Sequence, residues 1–230
     1  MDQISVVVFD AYGTLFDVGA AAREVAAEGK FESFEAIWQD VAETWRVKQL
    51  GYSWLRASYG AHTDFWTVTT QALEWTLEYY ELDDVEGLKE RLLALYWELK
   101  PFDEVQRVLA ALRGQGLKTA ILSNGEPDML DAACTSARLA DSFDVVLSAE
   151  QVGVFKPDRQ VYDLVGQYFG VPRGQVLLVS SNCWDACFAA AYGFRTLWVN
   201  RRNEPVDRLP VKPTFVSDSL SGLPRTIEAQ

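Results

Sequence analysis

Asp10 is the first residue in the chain whose type and position could do chemistry. The segment from Val6 to Val18 reads VVVFDAYGTLFDV, so an apolar run delivers Asp10 onto a turn that contains Gly13 and Thr14. A carboxylate at such a place is suited to attack an electrophile in line and leave an ester or an acyl phosphate. Taken alone, Asp10 could also be a turn or helix-cap residue.

Further polar groups follow other apolar runs along the chain. The segment 123–125 (SNG) follows KTAIL, Lys156 lies in GVFKPD, and the segment 180–182 (SSN) follows QVLLV with Asp185 one helical turn later. Ligands of open α/β sheets lie beyond the carboxyl ends of the strands. If the sheet is parallel, these groups and Asp10 surround one crevice.

The elements that would position these groups follow a recognisable order. Residues 4–9 are continuous and β-branched, as in a strand buried on both faces, whereas apolar residues recur at helical spacing from about 33 to 98. After Pro101, helices alternate with apolar strands, which predicts a parallel sheet with right-handed crossovers. The predicted strands of this part are 118–124, 143–148, 175–180 and 195–200.

We therefore predict an α/β fold, a Rossmann-like doubly wound parallel sheet with an inserted all-helical cap. The first strand is separated from the others by roughly 80 residues of helical pattern, which is too long for an ordinary loop. The predicted division is a core of residues 1–15 and 99–230 and a cap of residues 16–98.

Composition limits the partners and the compartment. The 230 residues are 49% hydrophobic and carry a net charge of −12, which argues against nucleic acid and anionic membranes as partners. No apolar run is long enough to span a bilayer, and residues 1–20 lack the basic leader of a signal peptide. The 3 cysteines cannot all pair. We expect a cytoplasmic protein. If it acts on small anions, individual Lys or Arg residues must give its binding site a local positive charge.

The four motifs FDAYGT, LSNG, KPD and SSNCWDA, in this order and spacing, resemble the haloacid dehalogenase superfamily over nearly the whole chain. Tyr12 and the phrase WRVKQLGYSWLR resemble the L-2-haloacid dehalogenases (haloacid dehalogenase type II) rather than the phosphatases. In the phosphatase relatives a second aspartate stands two positions after the nucleophile and protonates the departing alkoxide. A halide needs no such proton, and a phenol with a pKa of about 10 is a poor acid at neutral pH.

The resemblance implies a reaction and its participants. Asp10 would attack the α-carbon of a short-chain L-2-haloalkanoate, invert it and expel halide, and water would then cleave the ester to give a D-2-hydroxyalkanoate. Lys156 would keep Asp10 ionised, and Asp185 would activate or orient the water. Which of Asp185 and Lys156 governs the proton transfers is left open, since close ionisable groups titrate together. No metal or other cofactor is expected, and the resemblance implies a homodimer.

The resemblance also assigns roles to individual residues. Arg46, in the cap, would receive the halide together with Asn124, and Ser123 would hold the substrate carboxylate. The implied catalytic residues are Asp10, Thr14, Arg46, Ser123, Asn124, Lys156, Ser180, Asn182 and Asp185. The implied substrate-binding residues are Tyr12, Leu50, Phe65, Tyr162 and Trp184. Ser180 is favoured over Ser181 only by the register of the motif, and the role of Tyr162 is left open.

Some residues are not expected to take part in the reaction. Val47 stands where relatives often have glutamine, which predicts a drier or roomier pocket. His62, the only histidine, is expected on the cap surface, and Cys183 and Cys187 are expected to be packing residues.

Two other functions stay open at this stage. A magnesium-dependent phosphatase of the same superfamily could use Asp10, Asp185 and Asp17 around a cation. A non-catalytic binding member would be expected to have lost at least one of the motif residues, and none is lost. The preferred halogen, fluoride included, the chain length and the natural substrate do not follow from the sequence.

Overall fold

The computed structural model describes residues 3–228 and contains a 6-stranded sheet. The predicted core segments 1–15 and 99–230 include residues 1–2 and 229–230, which lie outside the described residues. All strand pairs are parallel and the strand order is β3-β2-β1-β4-β5-β6. The strands are β1 Val6–Phe9, β2 Lys118–Ser123, β3 Val145–Ser148, β4 Val176–Ser180, β5 Arg195–Val199 and β6 Phe215–Ser217. The predicted doubly wound parallel sheet is confirmed.

Strand β1 is central because its residues are apolar on both faces. All of its residues are buried, and Phe9 pairs with Ile121 of β2 and with Val179 of β4. The ladder continues into the following turn, where the Asp10 amide donates to the Val179 carbonyl at 2.9 Å. The carboxyl ends of the central strands therefore meet at one edge, as the sequence predicts.

Strand β6 was not predicted from the sequence. It has 3 residues, lies at the sheet edge beside β5 and is only partly buried. A strand this short lacks the continuous apolar run by which the others were recognised.

Within residues 3–228, five α-helices lie between β1 and Pro101, and five more lie after Pro101. The first group is α1 Gly19–Ala27, α2 Glu32–Glu35, α3 Trp38–Tyr59, α4 Phe65–Tyr79 and α5 Leu88–Tyr96. The second group is α6 Val105–Gly114, α7 Pro127–Ser136, α8 Arg159–Phe169, α9 Cys183–Tyr192 and α10 Leu223–Glu228. Within residues 3–228, no helix combines the length and the apolar character that crossing a membrane would require.

The longest helix, α3, has clear sequence signals at its end. It stops at Gly60, whose φ of 72° is left-handed and suits glycine. The next helix, α4, begins after Asp64, whose carboxylate accepts from the Thr67 amide at 2.6 Å. These signals fix where α3 ends and where α4 begins.

The chain leaves and re-enters the core through a narrow neck. Phe16 forms an antiparallel bridge with Pro101. The Asp17 amide donates to the Lys100 carbonyl at 2.9 Å, and the Phe102 amide donates to the Leu15 carbonyl at 3.0 Å. The outgoing and returning segments therefore lie side by side, directly after the turn that carries Asp10.

Candidate active site

The Asp10 carboxylate is held by donors from three separate segments. It is 6% exposed. Its Oδ2 accepts from Thr14 Oγ1 at 3.1 Å, from Ser180 Oγ at 3.3 Å and from Asn182 Nδ2 at 2.8 Å. Lys156 Nζ approaches Oδ1 at 3.3 Å. These donors compensate for the removal of the carboxylate from water and fix its orientation.

Gly13 gives the Asp10 turn a shape that other residues would not adopt easily. Its φ is 84°, and a Cβ at this position would lie 3.0 Å from Arg46 Nη2 and 3.1 Å from Ser181 Oγ. The turn is therefore close-packed against both the cap and the end of β4.

Lys156 is a buried cation between two carboxylates. Its side chain is 1% exposed, and Nζ lies 2.8 Å from Asp185 Oδ2 in addition to its contact with Asp10. Burial lowers the pKa of Lys156, but the charges of Asp10 and Asp185 outweigh it and the net shift is upward. The amide of Lys156 donates to Asn124 Oδ1 at 2.8 Å, which ties its loop to the end of β2.

Asp185 lies in the first turn of α9 but does not cap it. Its buried carboxylate accepts from Lys156 through Oδ2 and from the Tyr162 hydroxyl through Oδ1 at 2.8 Å. Burial is the main cause of its raised pKa, and the charge of Asp10 adds to the rise, while Lys156 and Tyr162 oppose it. A carboxyl in this position can exchange protons more readily than a surface aspartate.

The structure places Tyr162 differently from the predicted substrate contact. Its ring is buried against Tyr192 and Phe194, and its hydroxyl donates to Asp185. Burial, with the neighbouring charge of Asp185, raises the pKa of Tyr162 well above 10.0, so the hydroxyl keeps its proton. Tyr162 therefore orients Asp185 from behind.

Replacing Tyr162 with phenylalanine is expected to lower turnover by about 10- to 100-fold, because Asp185 loses one of its two side-chain donors. The measurement is product formation at saturating substrate. Tyr192→Phe is the matched control, because this tyrosine packs on Tyr162 while its hydroxyl donates to Asp163. Equal turnover in Tyr162→Phe and wild type would contradict the assignment.

Arg46 brings a permanent positive charge from the cap to the nucleophile. It lies on α3, and its Nη2 donates to Asn182 Oδ1 at 2.7 Å. The other end of the same amide donates to Asp10. Asn182 therefore links the cap arginine to the core carboxylate, and a departing anion at this place would meet a weakly hydrated cation.

A cleft of about 960 Å³ opens between the helices that follow β1 and the sheet edge. Gly13, Arg46 and Asn182 line its inner part, together with Leu50 and Trp184. Of the predicted substrate-binding residues, Leu50 and Trp184 thus face the cleft.

Tyr12 and Phe65 lie beneath the site as a buried aromatic stack. The Tyr12 ring lies 5.9 Å from Phe65 and 5.6 Å from Tyr96, measured between ring centroids. Burial is the main cause that raises the pKa of Tyr12 well above 10.0. Among the described residues its hydroxyl has no hydrogen-bond partner. Tyr12 is therefore neutral and cannot supply a proton at neutral pH.

Ser123 and Asn124 shape the loop after β2. Ser123 Oγ accepts from the Gly125 amide at 3.1 Å, and Asn124 holds Lys156 as described. A Cβ on Gly125 would lie 2.7 Å from Tyr12 Cε2, so this loop packs tightly on the Tyr12 ring.

Two expectations about the cap were wrong. Val47 is 58% exposed and does not line the cleft, so its replacement of a glutamine does not alter the pocket wall. His62 is half-buried and its Nε2 lies 3.0 Å from Glu150 Oε2, with its ring 4.7 Å from that of Phe155. The histidine therefore joins the loop after α3 to the segment before Lys156.

The cysteines and Asp17 do not form a metal centre with the site. Cys183 and Cys187 are buried with their Sγ atoms 4.0 Å apart, as expected of packing residues, and burial raises the pKa of Cys183 to about 12. Asp17 accepts from Arg23 at 2.7 Å. Within residues 3–228, no three His, Cys, Asp or Glu side chains are grouped so that they could hold a metal ion.

Two supporting residues, Ser181 and Gln49, were not assigned a role from the sequence. The Ser181 amide donates to Thr14 Oγ1 at 2.8 Å. Gln49 is buried on α3, and its Nε2 donates to Thr69 Oγ1 at 2.7 Å and to the Tyr96 hydroxyl at 3.0 Å. The signal for Gln49 was present, because it stands four residues after the buried Trp45 on the inner face of the helix.

Comparison with known proteins identifies the family. The haloacid dehalogenase-like hydrolase family matches residues 4–193. The chain belongs to the haloacid dehalogenase-like hydrolases. The resemblance inferred from the four motifs is thereby confirmed.

Characterised haloacid dehalogenase-like hydrolases similar to this chain act on carbon–halogen bonds. A (S)-2-haloacid dehalogenase from Pseudomonas sp. strain YL is 39% identical, over 99% of this chain and 96% of its own length. Haloacetate dehalogenase H-2 from Moraxella sp. strain B is 36% identical, over 94% of both chains. The solved L-2-haloacid dehalogenase from Xanthobacter autotrophicus, with chloropropionic acid covalently bound, has a TM-score of 0.87 and 37% identity. That match covers 99% of this chain and 100% of the other.

Proposed function

We propose that this protein is a hydrolytic dehalogenase that converts short-chain L-2-haloalkanoates to D-2-hydroxyalkanoates and halide. One observation carries the proposal. The Asp10 carboxylate is held by several hydrogen-bond donors, and the residue two positions later is the buried Tyr12. Burial raises the pKa of Tyr12, so the position two residues after the nucleophile offers no acid for a basic leaving group. The (S)-2-haloacid dehalogenases similar to this chain support the same activity.

The first half of the reaction forms an ester. One oxygen of the Asp10 carboxylate bonds to the α-carbon from the side opposite the halogen, and the carbon–halogen bond breaks with its electron pair on the halide. Arg46, already linked to Asp10 through Asn182, stabilises the departing anion. Backside attack inverts the carbon, which turns an L substrate into a D product.

The second half releases the product. Water adds to the carbonyl carbon of the Asp10 ester, and collapse of the tetrahedral intermediate returns the carboxylate and frees the hydroxyacid. One water proton ends on the product hydroxyl and the other leaves to solvent. Asp185 and Lys156, 2.8 Å apart, handle these protons as a coupled pair.

We further propose that the reaction uses no metal ion or other cofactor. The Lys156 ammonium lies between Asp10 and Asp185 at 3.3 and 2.8 Å and neutralises the place where a cation would bind. Asp17 is engaged by Arg23. The residues present therefore do not fit a magnesium site.

We propose the following assembly and location. Residues 16–98 form the cap, and 1–15 with 99–230 form the core, supported by the neck at Phe16 and Pro101. A homodimer is supported by the family resemblance and by the exposed apolar side chains of Val47, Leu55 and Tyr59 on α3. A cytoplasmic location is supported by the unpaired cysteines and the acidic composition.

The deciding experiment measures halide release from the L and D enantiomers of 2-chloropropionate, with and without EDTA. We expect release from the L enantiomer only, unchanged by the chelator. Turnover of both enantiomers at equal rates would contradict the one-sided attack. Hydrolysis of p-nitrophenyl phosphate with magnesium, without halide release, would favour a phosphatase, and loss of both activities would favour a binding protein.

A further inference from the structure

Arg201, just after β5, makes three contacts around the neck of the structure. Its guanidinium carbon lies 3.7 Å from the centroid of the Phe102 ring. Its Nη1 lies 2.8 Å from Glu104 Oε1, and its Nη2 donates to the main-chain carbonyl of Thr14 at 3.2 Å. Both members of the ion pair are largely buried, since their side chains are 20% and 13% exposed.

The carbonyl that Arg201 holds belongs to a residue that touches the nucleophile. Thr14 donates through Oγ1 to Asp10 Oδ2, and the Ser181 amide donates to the same Oγ1. A charged donor makes a stronger and better oriented hydrogen bond than a neutral one. Arg201 therefore holds the main chain of the turn at Thr14, and the Thr14 side chain holds the Asp10 carboxylate.

The partner of Arg201 is itself fixed. Burial raises the pKa of Glu104, but the hydrogen bonds from Arg201 and from backbone amides, with the charge of Arg201, together lower it by more, so Glu104 stays ionised at neutral pH. The Leu220 amide also donates to Glu104 Oε1, at 3.4 Å. The Arg201 guanidinium thus lies between the Phe102 ring and the Glu104 carboxylate, and its Nη2 remains free to donate to the Thr14 carbonyl.

We propose that Arg201 is a positioning residue that sets the Asp10 turn for nucleophilic attack, acting through Thr14. The inference rests on the proposed function, because its measure is the rate of halide release. Arg201 makes no hydrogen bond to Asp10, although it lines the same cleft as Arg46 and Asn182, and we expect its effect on the rate of the reaction rather than on substrate binding.

The test compares Arg201→Gln, Arg201→Lys and Arg173→Gln with wild type, using L-2-chloropropionate. Arg173 is a matched control because it lies 3.8 Å from the Tyr192 ring centroid and contacts a main-chain carbonyl and a carboxylate, away from the Asp10 turn. We expect kcat to fall about tenfold in Arg201→Gln with KM within about twofold of wild type, and no change of kcat in Arg173→Gln. Unchanged kcat in Arg201→Gln would overturn the proposal.

Arg201→Lys separates positioning from folding. A lysine can keep the ion pair with Glu104 but cannot also present a second fixed donor to Thr14. We expect wild-type thermal stability with kcat still reduced, and this variant decides the matter if Arg201→Gln does not fold. Recovery of full kcat in Arg201→Lys would show that the Thr14 contact is dispensable.

A double-mutant cycle tests the route through Thr14. In a Thr14→Ala background, Arg201→Gln is expected to cause no further fall in kcat, because the hydroxyl that Arg201 orients is already gone. An additional tenfold fall in that background would contradict the route. A wild-type enzyme that releases no halide would instead contradict the proposed function, so the two failures are distinguishable.

Discussion

Asp10→Asn is expected to abolish halide release from L-2-chloropropionate, with kcat falling at least about 10³-fold. An amide nitrogen and oxygen occupy the same space but cannot form the ester to the α-carbon. The surrounding donors from Thr14, Ser180 and Lys156 remain, so the fold is preserved. The measurement is steady-state halide release, together with the mass of acid-quenched enzyme.

The mass measurement identifies what is bound to Asp10. Wild type quenched during turnover should carry an alkyl ester of the substrate on the peptide that contains Asp10, and Asp10→Asn should carry none. Asp17→Asn is the matched control. Asp17 lies seven residues later, accepts a hydrogen bond from the Gly19 amide and forms an ion pair with Arg23. Full halide release in Asp10→Asn, or a phosphorylated Asp10 after incubation with a phosphate ester, would refute the assignment.

Lys156→Gln is expected to lower turnover by about 10³-fold and the free energy of unfolding by about 3–5 kcal/mol. The change removes the only cation within 3.3 Å of Asp10 and 2.8 Å of Asp185 among the described residues, and leaves both carboxylates buried. Thermal and denaturant unfolding measure the stability, and halide release measures the turnover. Lys118→Gln, an exposed lysine 2.8 Å from Asp144, is the control and should change neither quantity appreciably.

The pH–activity profile of Lys156→Gln is expected to shift in one direction. Burial and the Asp10 charge already raise the pKa of Asp185, and loss of Lys156 removes the main opposing charge, so the acid limb of activity should move to higher pH. In wild type the pKa of Lys156 lies above 10.5 in the folded state. Its contribution to stability is therefore complete below that value and is lost as pH rises through the folded-state pKa. An unmoved acid limb in Lys156→Gln would contradict this coupling.

The sequence predicted the core of the site because parallel strands bring their carboxyl ends together. Asp10 and Ser180 follow apolar runs, and the pairing of β1 with β4 brings their side chains within hydrogen-bonding distance. Lys156 reaches Asp10 from the segment that follows β3. The parallel order of the buried strands thus follows from the spacing of their apolar runs. Strand β6 was missed because 3 partly buried residues carry no such pattern.

Contacts across the cap could not be predicted from strand ends. Arg46 was assigned from its motif, but its bond to Asn182 depends on how α3 crosses the sheet edge. Tyr162 was expected at the substrate and lies behind Asp185, because the packing of α8 on α9 directs its hydroxyl there. His62 looked like a surface residue because its partner Glu150 is 88 positions away in the sequence.

The paired segments at Phe16 and Pro101 have a consequence for how such a molecule can diversify. The helices between these two segments begin and end at the same place, because the two segments are hydrogen-bonded to each other. A different insert could be grafted there without disturbing the strand that delivers Asp10. The paired segments thus separate the helices that follow β1 from the strand and turn that hold the nucleophile.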